Sequence, residues 1–246
     1  MKHNYRLVAL DLDGTLLTDD KEITTETKRQ IQHVHEQGVH VIFATGRGFQ
    51  TAEKYWKELG LTGPMVLVNG GEIWEGAGNL HERHFIAQKD LQKLYELAVD
   101  ADVWFWGYSV ESVTGRDEWT ADMLERGWMK FGISSKDLTV HKEIWDEVSQ
   151  WPSVEITQST PFNMEVTKKG VTKAAGVQRV CELLGIEMSE VMAVGDSPND
   201  LSLMKQAGLS VAMDNAVDEI KAVAHVVTAT NEEDGVAQAI AKYVHV

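Results

Sequence analysis

Asp11 and Asp13 follow the first apolar run of the chain, in the segment DLDGT, and are separated by Leu12. Side chains at positions i and i+2 of an extended chain project to the same side, so both carboxylates can reach one ligand. Gly14 permits a sharp turn that lifts them out of a strand. One carboxylate can attack phosphorus while its neighbour transfers protons. The alternative interpretation is an acidic turn that ends a strand.

A hydroxyl and a backbone amide follow the second apolar run, at Thr45 and Gly46. Such a pair can hold phosphoryl oxygens, although a Thr-Gly pair after a strand is also typical of an ordinary turn. Arg47 adds positive charge and is a candidate for contact with a substrate. Asn69, which ends the third apolar run, is a second candidate for substrate contact.

Lys173 is predicted near the start of a helix, where positive charge and free amides favour an anion. Asp196 and Asp200 are four residues apart and can face the same side of a later helix. Close to Asp11 and Asp13 they would repel one another unless a cation lay among them. Magnesium prefers such oxygen ligands and bridges to phosphate. The competing calcium interpretation requires a twelve-residue EF-hand pattern, which the sequence lacks.

Alternating strands and helices at both ends of the chain predict how these segments meet. The predicted strands are residues 6–10, 39–44, 65–68, 191–194, 209–213 and 225–227, and the predicted helices are 24–37, 49–59, 172–184, 199–207, 216–222 and 234–244. Such alternation implies parallel strands joined by right-handed crossovers in a doubly wound α/β sheet. The carboxyl ends of its strands meet at one edge, where ligands bind.

The middle of the chain has irregular spacing and contains six of the eight tryptophans. We expect a smaller α+β cap domain at residues 84–167, inserted into a core formed by residues 1–83 and 168–246. Helices are predicted at 89–99 and near 118–130, and strands at 103–108, 154–157 and 162–166. Most of the tryptophans are expected to fill the core of this small domain. Trp104 and Trp106 alternate on a strand and share a face, so they are candidates for a pocket wall.

The formal net charge of −15 argues against a nucleic acid partner, which requires a basic surface. It also means that a phosphate ligand needs a local reversal of sign, from a metal ion or basic groups. Cys181 is the only cysteine, so an intramolecular disulfide is excluded, and a buried position fits it better than a reactive one. The N-terminus lacks a secretory signal, and apolar runs are too short to span a membrane. We therefore expect a cytoplasmic protein without a membrane partner.

Taken in order, these segments resemble the four motifs of the haloacid dehalogenase (HAD) superfamily. The matching segments are DLDGT from Asp11, ATGR from Ala44, Lys173, and GDSPND from Gly195. The long insertion after Asn69 resembles the Cof-type phosphatases, which carry a C2-type (C2B-like) cap. One departure is the sequence Asn-Gly-Gly at residues 69–71, where the family more often has Asn-Gly-Ala.

The resemblance implies a role for each matching residue. Asp11 corresponds to the nucleophile and Asp13 to the general acid and base. The phosphate-binding positions correspond to the backbone of Leu12 and to Thr45, Gly46, Lys173 and Asn199. The magnesium ligands correspond to Asp11, the carbonyl of Asp13 and Asp196, with Asp200 as a supporting acidic position.

We therefore expect a magnesium-dependent phosphatase that hydrolyses a small phosphorylated metabolite through an aspartyl-phosphate intermediate. The cap is expected to close over the site, with hinges near residues 81–86 and 167–171, and the protein to be a monomer or weak homo-oligomer. The alternatives are a phosphotransferase such as a phosphohexomutase, which shares this core, and a non-catalytic phosphate-sensing module. A dinucleotide-binding oxidoreductase is disfavoured because no Gly-x-Gly-x-x-Gly follows the first strand.

Overall fold

The computed structural model describes residues 5–76 and 78–245. The strands are β1 (Leu7–Leu10), β2 (His40–Phe43), β3 (Met65–Leu67), β4 (Glu72–Gly76), β5 (Asn79–Arg83), β6 (Trp104–Ser109), β7 (Val113–Gly115), β8 (Trp128–Ser134), β9 (Val154–Thr157), β10 (Asn163–Lys168), β11 (Val191–Gly195), β12 (Leu209–Ala212) and β13 (Val226–Val227). The helices are α1 (Thr25–Glu36), α2 (Phe49–Glu58), α3 (Gln88–Asp100), α4 (Leu138–Val148), α5 (Lys173–Leu184), α6 (Leu201–Met204), α7 (Asp218–Val223) and α8 (Gly235–Tyr243).

A parallel sheet with the strand order β13-β12-β11-β1-β2 forms the core. Its central strands β1 and β11 are buried along their whole length, because they are apolar on both faces. Helix α1 begins after Thr24, whose hydroxyl accepts a hydrogen bond from the Thr27 amide. Because β1 and β11 pair in parallel, their carboxyl ends lie at the same edge of the sheet. The predicted site residues Asp11 and Asp196 directly follow these two strands.

A three-stranded antiparallel sheet, β3-β4-β5, extends this core. A parallel bridge between Ala44 and Val66 attaches β3 beside the end of β2. The chain then makes a short 3-10 turn at Val68–Gly70, in which Asn69 adopts a left-handed conformation with φ of 56°. This turn places Asn69 next to the loop that follows β2.

The middle of the chain forms a second antiparallel sheet with the order β7-β6-β8-β10-β9. We refer to the elements from α3 to β10 as the cap. Its own hydrophobic cluster runs from Ile86 to Val166 and has Trp128 among its buried residues. Trp119 stacks on Trp128 with ring centroids 4.3 Å apart, and further tryptophans pack around the same cluster. Of the cap tryptophans that the structure describes, Trp128 thus lies inside the cluster, and Trp119, Trp145 and Trp151 are partly buried against it.

The predicted α/β fold with an additional α+β unit is confirmed, but one element of the cap was predicted wrongly. Residues 121–125 form only a short 3-10 turn, and the helix expected near 118–130 gives way to β8 from Trp128. Periodicity cannot separate a fully buried strand from a helical segment, and β8 is paired on both sides, with β6 and β10. The domain boundaries at 83/84 and 167/168 stay a prediction. Among the described residues, every helix is too short or too polar to span a bilayer.

Close packing of α5 on β3 predicts a cost for enlarging Gly176. A Cβ atom at Gly176 would lie 2.3 Å from Cγ1 of Val66, so a larger side chain must push α5 away from the sheet. We expect Gly176→Val to lower the free energy of unfolding by about 1–3 kcal/mol, as measured by urea unfolding. The exposed Gln178→Ala in the same helix should change it by less than about 0.5 kcal/mol. Equal stability of Gly176→Val and the parent would contradict this packing.

Candidate active site

Asp11 lies at the carboxyl end of the central strand β1. Its backbone amide donates to the Val194 carbonyl of the neighbouring strand β11 at 3.2 Å, and the residue is 5% exposed. Gly14, three residues later, has a φ of +74°, and a Cβ atom there would lie 2.6 Å from Oδ2 of Asp196. Glycine is therefore required at this turn, and the turn brings the first motif against the last.

Lys173 bridges Asp11 and Asp200 at the start of α5. Its Nζ lies 2.9 Å from Oδ1 of Asp11 and 2.7 Å from Oδ1 of Asp200, and its side chain is fully buried. Burial alone would lower the pKa of Lys173, but the charges of the two carboxylates more than offset this and raise it above its usual value. Lys173 is therefore a permanent positive charge that joins two distant segments of the chain.

Asp196 and Asp200 belong to the loop that follows β11. The backbone amides of Asp196 and Ser197 donate to Oδ2 of Asp200 at 3.1 and 3.2 Å. The Thr15 hydroxyl donates to Oδ1 of Asp196 at 2.8 Å. One carboxylate oxygen from each of Asp11, Asp196 and Asp200 lies within 4.8 Å of the others.

The crowding of these carboxylates changes their acidity. Burial raises the pKa of Asp196 to about 8 and that of Asp11 to about 6; the charge of Lys173 opposes both shifts, and neighbouring carboxylates add to them. A divalent cation with a preference for oxygen ligands would relieve this repulsion, so the residues fit such an ion. The side chain of Asp13 lies outside this group of oxygens.

Asp13 is instead engaged by two basic side chains. Arg47 donates to both carboxylate oxygens of Asp13, from Nε and Nη2 at 2.7 Å each, and Lys21 Nζ lies 2.9 Å from Oδ1. Partial burial would raise the pKa of Asp13, but these hydrogen bonds and charges outweigh it and lower the pKa to about 2. Asp13 is therefore ionised in this arrangement, which suits a base and not a proton donor.

A cavity of about 420 Å³ opens beside these residues. Its walls include Asp11, Asp13, Thr45, Gly46, Arg47, Asp196 and Asn199, all of which were predicted as site residues. Thr45 is 1% exposed, and its Oγ1 accepts a hydrogen bond from the Arg47 amide at 3.2 Å. Asn199 is fixed by Ser197, whose hydroxyl donates to Oδ1 of Asn199 at 2.9 Å. Leu12 is fully buried directly after Asp11.

The cap supplies the opposite wall of this cavity. Trp106 and Tyr108 from β6 line it, together with Lys130 from β8 and Glu165 from β10. The Trp106 ring covers Gly132, where a Cβ atom would be 2.3 Å from the ring. Trp104 shares the face of Trp106 but is 46% exposed and does not line the cavity.

The sequence prediction missed Lys21, Lys130 and Glu165. Lys130 and Glu165 each lie between two apolar residues within a strand and are at most 5% exposed. A charged residue inside an apolar strand is a usable signal, because burying a charge is costly unless it has a partner. Lys21 follows Asp13 by eight residues in an acidic turn, and nothing in the sequence distinguishes it from a surface lysine.

The raised pKa values predict that stability in a chelator falls as pH rises. Between about pH 4 and pH 8 the folded Asp196 binds more protons than the unfolded one, so the free energy of unfolding decreases with pH in this range. A divalent cation such as magnesium, bound by these carboxylates in the folded state, would remove this cost. At a free concentration of about one hundred times its Kd, the cation would add about 2.7 kcal/mol to the free energy of unfolding, which raises Tm by roughly 5–10 °C.

Thermal unfolding with magnesium chloride and with EDTA, at about pH 5.5 and about pH 8, tests this expectation. The gain from magnesium should be larger at the higher pH. Asp196→Asn should lose most of the gain, whereas the exposed Asp218→Asn should keep it. The same gain at both pH values would show that the cation does not bind these carboxylates.

Comparisons with known proteins agree with this geometry. Residues 8–143 and 116–240 match the haloacid dehalogenase-like hydrolase family. The chain is 39% identical to the 5-amino-6-(5-phospho-D-ribitylamino)uracil phosphatase YcsE of Bacillus subtilis, over 98% of this chain and 96% of the relative. It is 30% identical to a second phosphatase of the same name, YitU, over 96% and 97% of the two chains.

Solved structures give the same result. A haloacid dehalogenase-like hydrolase from Bacteroides thetaiotaomicron superposes with a TM-score of 0.82 and 28% identity, over 97% of this chain and 99% of the other. The match extends across both the parallel core and the cap, so the arrangement of the two units is shared. The chain therefore belongs to the haloacid dehalogenase-like hydrolases, and it is a phosphatase of that family.

Proposed function

We propose that this phosphatase is magnesium-dependent and works through an aspartyl-phosphate intermediate on Asp11. The observation that carries the proposal is the buried contact of Asp11 with Lys173, at the edge of a cavity and beside two further carboxylates. Lys173 orients one oxygen of the nucleophile and contributes positive charge close to the transferring group. A carboxylate needs no activating base, because it is ionised at neutral pH once its charge is compensated.

The phosphoryl group would be held by residues of the chain on several sides. The Thr45 hydroxyl, the backbone amides of Leu12 and Gly46, and the Asn199 amide are the proposed donors. Asp11, Asp196, Asp200 and the carbonyl of Asp13 are the proposed residues around magnesium, which would neutralise charge on the phosphoryl oxygens. Preorganised donors and charges of this kind are the main source of catalysis in phosphoryl transfer.

Asp13 is the proposed general acid and base, and its ion pairs determine when it can act. As a base in the second step it needs to be ionised, which is its state beside Arg47 and Lys21. As an acid in the first step it must first leave these partners. We infer that an anionic substrate draws Arg47 and Lys21 towards its own oxygens, which frees Asp13 to be protonated.

The proposed substrate is 5-amino-6-(5-phospho-D-ribitylamino)uracil, on which the relatives YcsE and YitU are named as acting. This molecule joins a phosphorylated polyol to a pyrimidine ring. Trp106 and Tyr108 offer the ring an aromatic wall opposite the carboxylates, and aromatic faces suit a flat heterocycle. Residues 84–167 would move as a lid that excludes water and contacts the leaving group.

Replacing the nucleophile tests the mechanism. Asp11→Asn keeps the size of the side chain but cannot form the phosphoenzyme, so we expect phosphate release to fall at least about 1,000-fold. The measurement is phosphate release from a panel of phosphorylated metabolites, with magnesium and with EDTA. Asp218→Asn is the matched control and should retain parental activity. Substantial turnover by a folded Asp11→Asn protein would remove the aspartyl-phosphate proposal.

Trp106 tests the substrate proposal. Trp106→Ala removes the aromatic wall, so kcat/KM for the ribitylaminouracil phosphate should fall roughly 5- to 150-fold. This corresponds to a loss of about 1–3 kcal/mol of stacking free energy. The value for ribitol 5-phosphate, which lacks the ring, should change little. Trp104→Ala is the control on the same strand face, outside the cavity. Equal losses on both substrates would indicate that Trp106 supports the cap and does not contact a ring.

A further inference from the structure

A buried ion pair of the cap reaches the loop that follows β2. The side chains of Lys130 and Glu165 are 3% and 6% exposed, and Nζ and Oε2 lie 3.2 Å apart. Lys130 Nζ also donates to the Gly46 carbonyl at 2.9 Å. Asn69 Nδ2 donates to Oε2 of Glu165 at 2.7 Å. One charge pair of the cap therefore contacts both loops that border the proposed phosphate site.

The contact of Lys130 with Gly46 extends to the Thr45 hydroxyl. The carbonyl that Lys130 holds belongs to the same planar peptide unit as the Arg47 amide. That amide donates to Oγ1 of Thr45 at 3.2 Å. Fixing the carbonyl therefore fixes the direction of the amide. Oγ1 accepts a bond from this amide, and its own proton is then directed to another acceptor, such as a phosphoryl oxygen in the cavity.

Glu165 acts on the other side of the same loop through Asn69. The Asn69 backbone amide donates to the Thr45 carbonyl at 2.9 Å, and its Oδ1 accepts from Asn199 Nδ2 at 3.4 Å. Asn69 is 2% exposed and adopts a left-handed backbone conformation. Its side chain thus connects the cap carboxylate to a second proposed phosphate ligand, Asn199.

Stability alone is a weak explanation for this ion pair. Replacing a buried pair by apolar residues is often neutral or stabilising, because the desolvation cost exceeds the attraction. Lys130 is further held by the Tyr108 ring, with Nζ 4.7 Å from the ring centroid, so its position is constrained on several sides. Such precise placement of a costly charge at a loop carbonyl indicates a role in the geometry of that loop.

We propose that Lys130 and Glu165 are positioning residues that set the phosphate-binding geometry of Thr45, Gly46 and Asn199 when the cap meets the core. Substrate binding and cap closure are then coupled, because the phosphate donors reach their final orientation only in the closed arrangement. The inference rests on the proposed function, since it assumes that phosphate binds at Thr45 and Gly46.

The test uses inorganic phosphate as the probe, with calorimetry of the whole 246-residue chain in magnesium. Lys130→Met alone leaves the charge of Glu165 buried without its positive partner and endangers folding, so the main variant is the double substitution Lys130→Met and Glu165→Gln. It removes both charges and keeps their approximate volumes. We expect phosphate affinity to fall about tenfold or more, the size of the loss of a hydrogen bond to a charged group. The exposed Lys136→Met is the control and should bind phosphate like the parent.

Steady-state kinetics distinguish positioning from substrate contact. If the pair sets the phosphate site, kcat/KM of the double variant falls by the same factor for ribitol 5-phosphate and for the ribitylaminouracil phosphate. Parental phosphate affinity in the folded double variant would overturn the inference, and so would a loss confined to the larger substrate. Either result would leave the proposed function standing. Absence of phosphate release by the parent protein would reject the function itself.

Discussion

The ammonium group of Lys173 contacts both Asp11 and Asp200. Asp11 precedes Lys173 by more than 160 residues in the chain. An ammonium buried without partners costs several kcal/mol, so Lys173 stays charged only while both carboxylates remain within reach. This condition ties the start of α5 to the end of β1 and to the loop after β11. Glycine at residue 195 allows Asp200 to approach the end of β11 closely. A Cβ atom at Gly195 would lie 2.5 Å from the carboxyl carbon of Asp200.

Local charge reversal allows an acidic chain to bind an anion. The net charge is −15, yet Lys21, Arg47, Lys130 and Lys173 surround the cavity or lie directly behind it. Each of them is paired with a carboxylate or a carbonyl, so none presents an uncompensated charge. The carboxylates around the cavity outnumber these four basic groups. An anion would therefore gain the basic groups by exchange of partners, and a cation among the carboxylates would reverse the remaining negative charge. Asp13, whose partners are themselves basic groups of the cavity, lies at the centre of this exchange.

The core motifs could be located from the sequence because strand and helix alternation determines where each motif must lie. Asp11, Thr45 and Asp196 all follow predicted parallel strands, whose carboxyl ends share one edge. The cavity-lining residues of the cap could not be located by the same argument. Lys130 was placed on a predicted helix, and only the pairing of β8 with β6 and β10 turns its side chain towards the core. That pairing depends on contacts distant in sequence, which local periodicity does not contain.

The contact of the Trp106 ring with Gly132 restricts how this wall of the cavity can change during evolution. Its ring occupies the space that a side chain at residue 132 would need, so the aromatic wall and the glycine beneath it depend on each other. A substitution at residue 132 first displaces the ring, and loss of the ring first leaves an open gap above the glycine. Trp106 and Gly132 are therefore expected to change together. Relatives that keep glycine at this position are expected to keep a flat ring above it.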